Sequence, residues 1–352
     1  EVPTATSFRN VPAKLLEVNR KVINNHRERI GGGKVSFTHL IGYAVVRAVV
    51  DSVPNMKNSF VTGADGKPRL VRNEHVNMGL AADVDKGDGT RTLVVPVLKN
   101  ADTLDFKGFY QAYEELIRKI RSNSLTIDDY AGANVTLTNP GTIGTVQSVP
   151  RLMQNQGVIV GVGTIGYPAE FEGADPRNLW ALGLSKIVTI TSTYDHRIIQ
   201  GAESGLMLKR IHELLMGEHG FYNEVFRSLA IPYEAVKWRP DTLPIDKDEA
   251  LLAKQMAVAK LIRVHRVRGH LLAELDPLHW REPKTPVELD PATYGLTIWD
   301  LDREFLTDGV GGVPKLKLGD LLGVLRDAYC RTIGVEYMHI QNTDEQQWIQ
   351  DH

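Results

Sequence analysis

Apolar positions recur at helical spacing over residues 13–29, where Leu15, Leu16, Val18, Val22 and Ile23 share one broad face before Gly31, Gly32 and Gly33 stop the run. A second helix is predicted over 37–53, with Ser36 placed to cap it and Pro54 to end it. Strand patterns follow at 76–82 and 91–98, joined by the turn-rich DVDKGDGT. A polar helix over 106–122 leads through 125–130 to the short strand NVTLTN. Two strongly apolar strands come next, at 157–162 and 186–194. An amphipathic helix over 201–215 follows, with Ala202, Leu206, Ile211, Leu214 and Leu215 expected on its inner face. After Gly220 the character changes. The stretch 231–248, with Pro232, Pro240 and Pro244, reads as a linker or surface wrap. A helix rich in Ala, Leu, Val and Arg over 249–272, a proline-rich crossing (DPLHWREPKTPVELDP) and a last helix over 318–331 complete the pattern. Strands dominate the first part and helices the second, and there is no internal repeat. The expected boundary is Gly217–Gly220, which divides the chain into 1–217 and 218–352.

A chain of 352 residues is long enough for two domains of ordinary size, and 42% hydrophobic with 24% charged residues is a globular balance. No run of 18 apolar residues occurs, so no membrane span is expected. The N-terminus lacks the basic start and apolar core of a secretion signal. It begins without Met, which reads as a cut from something longer. The single cysteine, Cys330, excludes a disulfide framework and fits a reducing cytoplasm. A net charge of −2 argues against nucleic acid as a partner.

Chemistry concentrates in Ser192-Thr193-Tyr194-Asp195-His196-Arg197-Ile198-Ile199-Gln200-Gly201. An apolar strand delivers His196 to its end, and Gly201 then opens a helix. A strand end is a rigid mount for a base, and imidazole, with its ordinary pKa near ~6.5, is largely neutral at pH 7 and able to take a thiol proton. A lone histidine in such a place is ordinarily a core group bonded to a backbone carbonyl. The pattern around His196 is what raises it above that reading.

The run DHRIIQGA resembles the HxxxDG active-site motif of the acyltransferase component of 2-oxo acid dehydrogenase complexes, a family that shares its fold with chloramphenicol acetyltransferase. Upstream, GANVTLTNPG is similar to the family's GGTFTISN(G/L)G, with Thr138 on its catalytic Ser/Thr position. VNMGLAADV and RTLVVPVLKNAD match two further stretches in the right order, so the resemblance covers about residues 5–215. It implies an α/β fold with a mixed sheet and helices, His196 as the base for the coenzyme A thiol, and Thr138 as donor to the thioester oxyanion. It also implies a trimer in which these two groups meet across a subunit boundary. Gln200 stands where the family usually has an orienting Asp, a departure that bears on activity.

After residue 220, FYNEVFRSLAIPYEAVKW, VHRVRGHLLAELDPL and LGVLRDAYCRTIGVEYMHI resemble the start of the decarboxylating component of 2-oxoglutarate dehydrogenase. Acyltransferase core and decarboxylating component are fused in the actinobacterial multifunctional 2-oxoglutarate metabolism enzymes, of which the chain looks like a truncated piece. That resemblance implies a succinyl cargo, and lipoamide supplied in trans by a lipoyl-bearing acyltransferase, with dihydrolipoamide dehydrogenase as a further partner. Thiamine diphosphate and Mg²⁺ would be held beyond this portion, dehydrogenase contacts would be dimeric, and a forkhead-associated protein would be a regulator. The alternatives are a free-standing acyltransferase acting on a small hydroxyl acceptor, which predicts no extension after residue 220, and a catalytically weakened domain that serves as an oligomerising scaffold.

Other motifs do not carry their usual chemistry. Gly161, Gly163 and Gly166 form a GxGxxG, but Tyr167-Pro168 follows where a helix must begin, so a strand end is expected. Gly87-Asp88-Gly89 begins like a thiamine motif without its later Asn pair and reads as a hairpin turn. Lys86 sits in a turn but lacks the flanks of a lipoyl domain. Arg263, Arg266 and Arg268 with His265 and His270 could grip phosphate, although a solvated helix face or a dimer contact is the preferred reading. His265 and His270, five apart, do not share a helical face, and no metal site is expected.

Overall fold

A computed structural model of the protein describes residues 2–85, 90–241, 247–276, 278 and 284–351; Lys86, Gly87, Asp88, Gly89 and Pro244, considered above, lie outside them. In chain order the elements begin with β1 (Thr4–Pro12), α1 (Lys14–Arg29), α2 (Phe37–Ser52), β2 (Ser59–Thr62), β3 (Pro68–Val71) and β4 (Met78–Asp85). There follow β5 (Arg91–Val94), β6 (Val97–Leu98), α3 (Phe106–Arg121), β7 (Val135–Thr138), β8 (Val158–Val162), α4 (Pro176–Ala181) and β9 (Ile187–Asp195). The remainder is α5 (Gly201–Leu215), α6 (Phe221–Ser228), α7 (Lys247–Arg268), β10 (Glu304–Leu306), β11 (Lys315–Lys317), α8 (Leu318–Tyr329) and α9 (Thr343–Asp351). The chain forms two compact units: residues to Arg20, Gly31–Glu172 and Ser185–Leu229 make the first, and Lys21–Ile30, Gly173–Leu184 and the chain from Ala230 on make the second.

The first unit is built on a seven-stranded sheet in the order β1-β9-β8-β7-β4-β5, with β6 also paired to β4. β4, β7 and β8 run parallel to their neighbours in that trio, while β9 and β1 are antiparallel, so the sheet is mixed and the expected α/β architecture is borne out. β9 is central: every residue from Val188 to Asp195 is buried. Burying both faces of a strand that contains Thr189, Thr191, Ser192 and Thr193 requires a partner for each hydroxyl. Thr193 bonds Thr6 at 2.8 Å, Thr189 bonds Asn10 at 2.9 Å, and Ser204 of α5 donates to Ser192 at 3.0 Å. Each such bond contributes about 1 kcal/mol net, and leaving one unmade costs more.

Two expectations change. On α5 the buried face is Ser204, Met207, Leu208, Ile211, Leu214 and Leu215, whereas Ala202 is exposed and Leu206 is 53% exposed. A small polar residue wins the inner position because Ser204 has Ser192 to bond. The continuous strand expected over 91–98 is broken between β5 and β6, where Pro96 has no N–H for a ladder and its carbonyl instead accepts from Leu80 N at 2.8 Å. The first unit also runs on through Leu229, since α6 buries Phe221, Tyr222, Val225 and Phe226, and Glu224 accepts from the Tyr43 hydroxyl of α2 at 2.5 Å.

The GxGxxG glycines end a strand, as expected. A Cβ on Gly163 would lie 1.9 Å from the Val146 carbonyl oxygen, and one on Gly141 would lie 2.3 Å from the Gly163 backbone. The loop after β7 therefore lies directly against the end of β8. Glycine here serves a close backbone approach, with no helix N-terminus behind it.

In the second unit α7 packs on α8 through Val258, Leu261, Ile262, Leu321 and Leu325. Asp300, fully buried, is held by Lys254 at 2.6 Å, Arg303 at 2.5 Å and the Thr297 amide at 2.8 Å, which is the satisfaction a buried carboxylate requires. The helix expected to 272 ends as an α-helix at Arg268 and tightens into a single 3₁₀ turn, Gly269–Leu272. There Gly269 lets Tyr329 of α8 come close.

Gly163→Ala should lower the unfolding free energy by roughly 1–3 kcal/mol in urea titration, through overpacking against a backbone that cannot move aside. Gly166→Ala, with nothing within 4 Å of the new carbon, should stay within about 0.5 kcal/mol. Equal effects at the two glycines would refute the close-approach account.

Candidate active site

His196 is the first residue past β9. Its amide donates to the Pro3 carbonyl at 2.9 Å, so the turn that carries it is tied to the segment entering β1. The imidazole is exposed and meets the Tyr194 ring at 5.6 Å, edge to face. No hydrogen bond or ion pair engages it among the described residues. It is therefore accessible to solvent and to a substrate.

The turn itself is clamped by residues that flank the histidine. Asp195, 2% exposed, accepts from Arg197 Nε at 2.8 Å, Arg197 Nη2 at 2.5 Å and the Arg197 amide at 3.1 Å. This combines a forked ion pair with an Asx turn. The pairing holds the Arg197 pKa above its ordinary value. The guanidinium also lies 3.6 Å over the Phe60 ring of β2. On the far side of the turn, Asn55 donates to the Ile198 carbonyl at 2.8 Å and to Glu203 at 2.9 Å. Glu203 in turn accepts from the Gln200 amide at 2.7 Å. Asp195, Arg197, Phe60 and Asn55 were not read as site residues from the sequence. The signal for the first two was present in the charged pair on either side of His196, while Phe60 and Asn55 are brought in by distant elements.

Gln200 is exposed and caps the N-terminus of α5. No hydrogen bond joins its side chain to His196 among the described residues, and Asn55 with Glu203 fixes the local backbone there.

Thr138 is the last residue of β7 and is half-buried, with Ala81 opposite it on β4 and Gly161 opposite it on β8. Its hydroxyl has no partner among the described residues. The next residue, Asn139, donates to Thr38 at the start of α2 at 2.7 Å, which fixes the exit of the strand. The register then settles where the two groups stand. Thr138 is level with Gly161, Gly161 with Thr191, and His196 lies five residues further along β9. At about 3.3 Å per residue that is a separation of roughly 16 Å along the strand. β9 runs against β7, so within one copy the sheet holds imidazole and hydroxyl toward opposite ends.

The basic stretch of α7 does not converge. Arg266 pairs with Asp308 at 3.1 Å, Arg268 pairs with Glu288, Arg263 is exposed, and His265 is buried. Among the described residues one group, Glu213, Glu218 and His219, has metal-ligand spacing, but Lys209 and Arg210 each stand 3.7 Å from Glu213 and offset its charge.

The profile of the family described as "2-oxoacid dehydrogenases acyltransferase (catalytic domain)" matches residues 1–219. The chain belongs to this acyltransferase family. His196 and Thr138 both lie inside the matched region. The acyltransferase fold is also that of a "probable dihydrolipoamide acetyltransferase" from Listeria monocytogenes 4b F2365, at 25% identity and a TM-score of 0.51 over 61% of this chain and 84% of that one. Over its whole length the chain is 53% identical to proteins named multifunctional 2-oxoglutarate metabolism enzyme from Mycobacterium sp. (strain JLS) and Mycolicibacterium vanbaalenii. It spans 27% and 28% of their lengths, about a quarter. No helix among the described residues is long and apolar enough to cross a membrane.

If the Asp195–Arg197 clamp positions the imidazole, Arg197→Met should lower kcat for acyl transfer roughly 10–100-fold, the penalty of a misplaced catalytic group, with KM for the thiol substrate unchanged. An unaltered kcat would mean that the clamp serves the fold alone.

Proposed function

We propose that the chain transfers a succinyl group between dihydrolipoamide and coenzyme A, at sites made by two copies, with His196 from one and Thr138 from another. The observation that carries this reading is the placement of an accessible, unpaired imidazole and an unpaired hydroxyl toward opposite ends of one rigid sheet. Neither has a local partner, and the strand register keeps them from reaching each other in a single copy.

The chemistry follows from the two groups. His196 takes the coenzyme A thiol proton, since the thiolate is the nucleophile. The sulfur attacks the thioester carbonyl of succinyl-dihydrolipoamide, and the Thr138 hydroxyl donates to the oxyanion that forms. Collapse breaks the bond to the dihydrolipoyl sulfur, which leaves with the proton held by His196. Succinyl-coenzyme A and dihydrolipoamide are the products, and the imidazole is neutral again. Gln200 acts on this scheme only through the start of α5, and its replacement of the usual Asp leaves the base and the donor in place.

The succinyl assignment rests on the names of the 53%-identical relatives. From the resemblance of the sequence alone we further propose lipoamide supplied in trans by a lipoyl-bearing acyltransferase, with dihydrolipoamide dehydrogenase and a forkhead-associated regulator as partners in a cytoplasmic assembly. Thiamine diphosphate, Mg²⁺ and the decarboxylation of 2-oxoglutarate belong, on this reading, to the part of the longer relatives that this chain does not span. The exposed position of Gln200, without a bond to His196, favours one rival, a domain that has lost activity and organises other components.

Three measurements with coenzyme A and succinyl-dihydrolipoamide test the proposal. His196→Ala should cost roughly 10²–10⁴-fold in kcat and Thr138→Ala roughly 10²–10³-fold. Copies of the two variants, unfolded together and refolded as a mixture, should regain activity, because random assembly restores both groups at about one boundary in four. No recovery would eliminate the shared site, and equal rates for His196→Ala and the unmodified protein would remove the catalytic claim and favour the scaffold reading.

A further inference from the structure

The second unit contains a cavity, lined by both apolar and charged side chains, that the proposed acyl transfer does not use. Its volume is about 100 Å³, and it is lined by the chain from Tyr233 to Arg239, by His265 of α7, by the turns around Asp290 and Thr297, and by Arg326 of α8. A cavity of that size has room for a small oxyanion.

Two side chains give the cavity its character. Arg326 has no carboxylate within 4 Å and no hydrogen bond to its guanidinium among the described residues. It stacks instead on Tyr233, 4.8 Å from guanidinium carbon to ring centroid. Burial draws its pKa down, but a guanidinium remains charged, so a cation with no direct ion-pair partner faces the cavity. His265 is 1% exposed, and its Nδ1 lies 2.9 Å from the Leu261 carbonyl. A carbonyl only accepts, so Nδ1 carries the proton. Burial and the neighbouring Arg326 push the pKa down to about 4, so at pH 7 Nε2 is a bare acceptor. Of the other lining charges, Glu234 pairs with Lys237 at 3.3 Å and Arg239 adds a further positive charge, while the Asp290 carboxylate, which accepts from the Ala292 amide at 2.9 Å, offsets part of the charge on Arg326 and leaves the lining with an excess of positive groups. Arg29, which also acts on Arg326, pairs with Asp327 at 2.5 Å.

A forked donor beside a neutral acceptor complements an anion that bears a proton of its own. We propose that this cavity binds a phosphate group: Arg326 donates to its charged oxygens, and its P–OH donates to His265 Nε2. The phosphate arrives either as the free ion or at the end of a small monoester whose remainder projects out of the cavity. The site is independent of the acyltransfer reading, since none of its residues lies in the first unit.

Titration calorimetry of the intact protein tests this at pH 5.5, where a phosphate monoester keeps the proton that it largely loses by pH 7 and His265 Nε2 is still bare, with sodium phosphate, glycerol phosphate and sodium sulfate as probes. Phosphate should bind saturably at one site. A stronger signal from glycerol phosphate than from phosphate would identify the monoester as the source, and the reverse would identify the free ion. Sulfate, doubly charged and without a proton at this pH, should bind at least about tenfold more weakly, because its oxygens would face the His265 lone pair. Arg326→Gln should abolish binding. Ala292→Leu, which fills the cavity and leaves the charges in place, should weaken it about tenfold or more, and decides the matter if Arg326→Gln does not fold. An absence of saturation in the millimolar range, sulfate binding as well as phosphate, or wild-type affinity in a folded variant would each overturn the proposal.

Discussion

Strand β9, buried on both faces, is the constraint on which the rest of the first unit depends. Its neighbours β1 and β8 both run antiparallel to it over long registers, nine residue pairs with β1 and five with β8, so it can neither slide nor rotate. A slip of one residue would turn its hydroxyls away from Thr6, Asn10 and Ser204 and leave them buried without partners. Because the strand is fixed, the residue that follows it is fixed. His196 inherits its position from a ladder of backbone bonds, and Asp195 with Arg197 then sets the direction of the turn.

The same sheet explains why a hydroxyl and a base with matching chemistry are kept apart. β7 and β8 run one way and β9 the other, so residues that end β7 and β9 emerge at opposite edges whatever their side chains. This separation belongs to topology and not to any local contact. The imidazole and the hydroxyl on which the proposed transfer rests therefore stand toward opposite ends of the sheet's strands. The second unit follows other rules: its core is a helix pair, with Asp300 held by Lys254 and Arg303, and Arg326 facing a cavity.

Much of this was legible from the sequence wherever a strong period or a distinctive cap was present. α2 begins after Ser36 and stops at Pro54 because a side-chain oxygen accepts the His39 amide at one end and proline removes a donor at the other. α5 was placed correctly, but its inner face was not. Leu206 looks like a core residue to any hydrophobic count, and only the presence of Ser192 across the interface explains why Ser204 goes in instead. β1 was missed because TATSFRNVP alternates weakly; its strand character comes from pairing with β9 some 180 residues later, which no local pattern encodes. For the site, His196 and Thr138 were visible as motifs and the resemblance implied that they meet across a subunit boundary, while what holds them apart in one copy emerges only from the order and direction of strands.

The tie between the His196 amide and the Pro3 carbonyl has a consequence for anything joined ahead of β1. The polypeptide reaches the sheet beside the imidazole, so a tether attached there would start its search next to that side chain. A cargo on such a leash would experience a local concentration set by leash length, high for a short link and falling as it grows. In this architecture the point of attachment acts as a kinetic element in its own right.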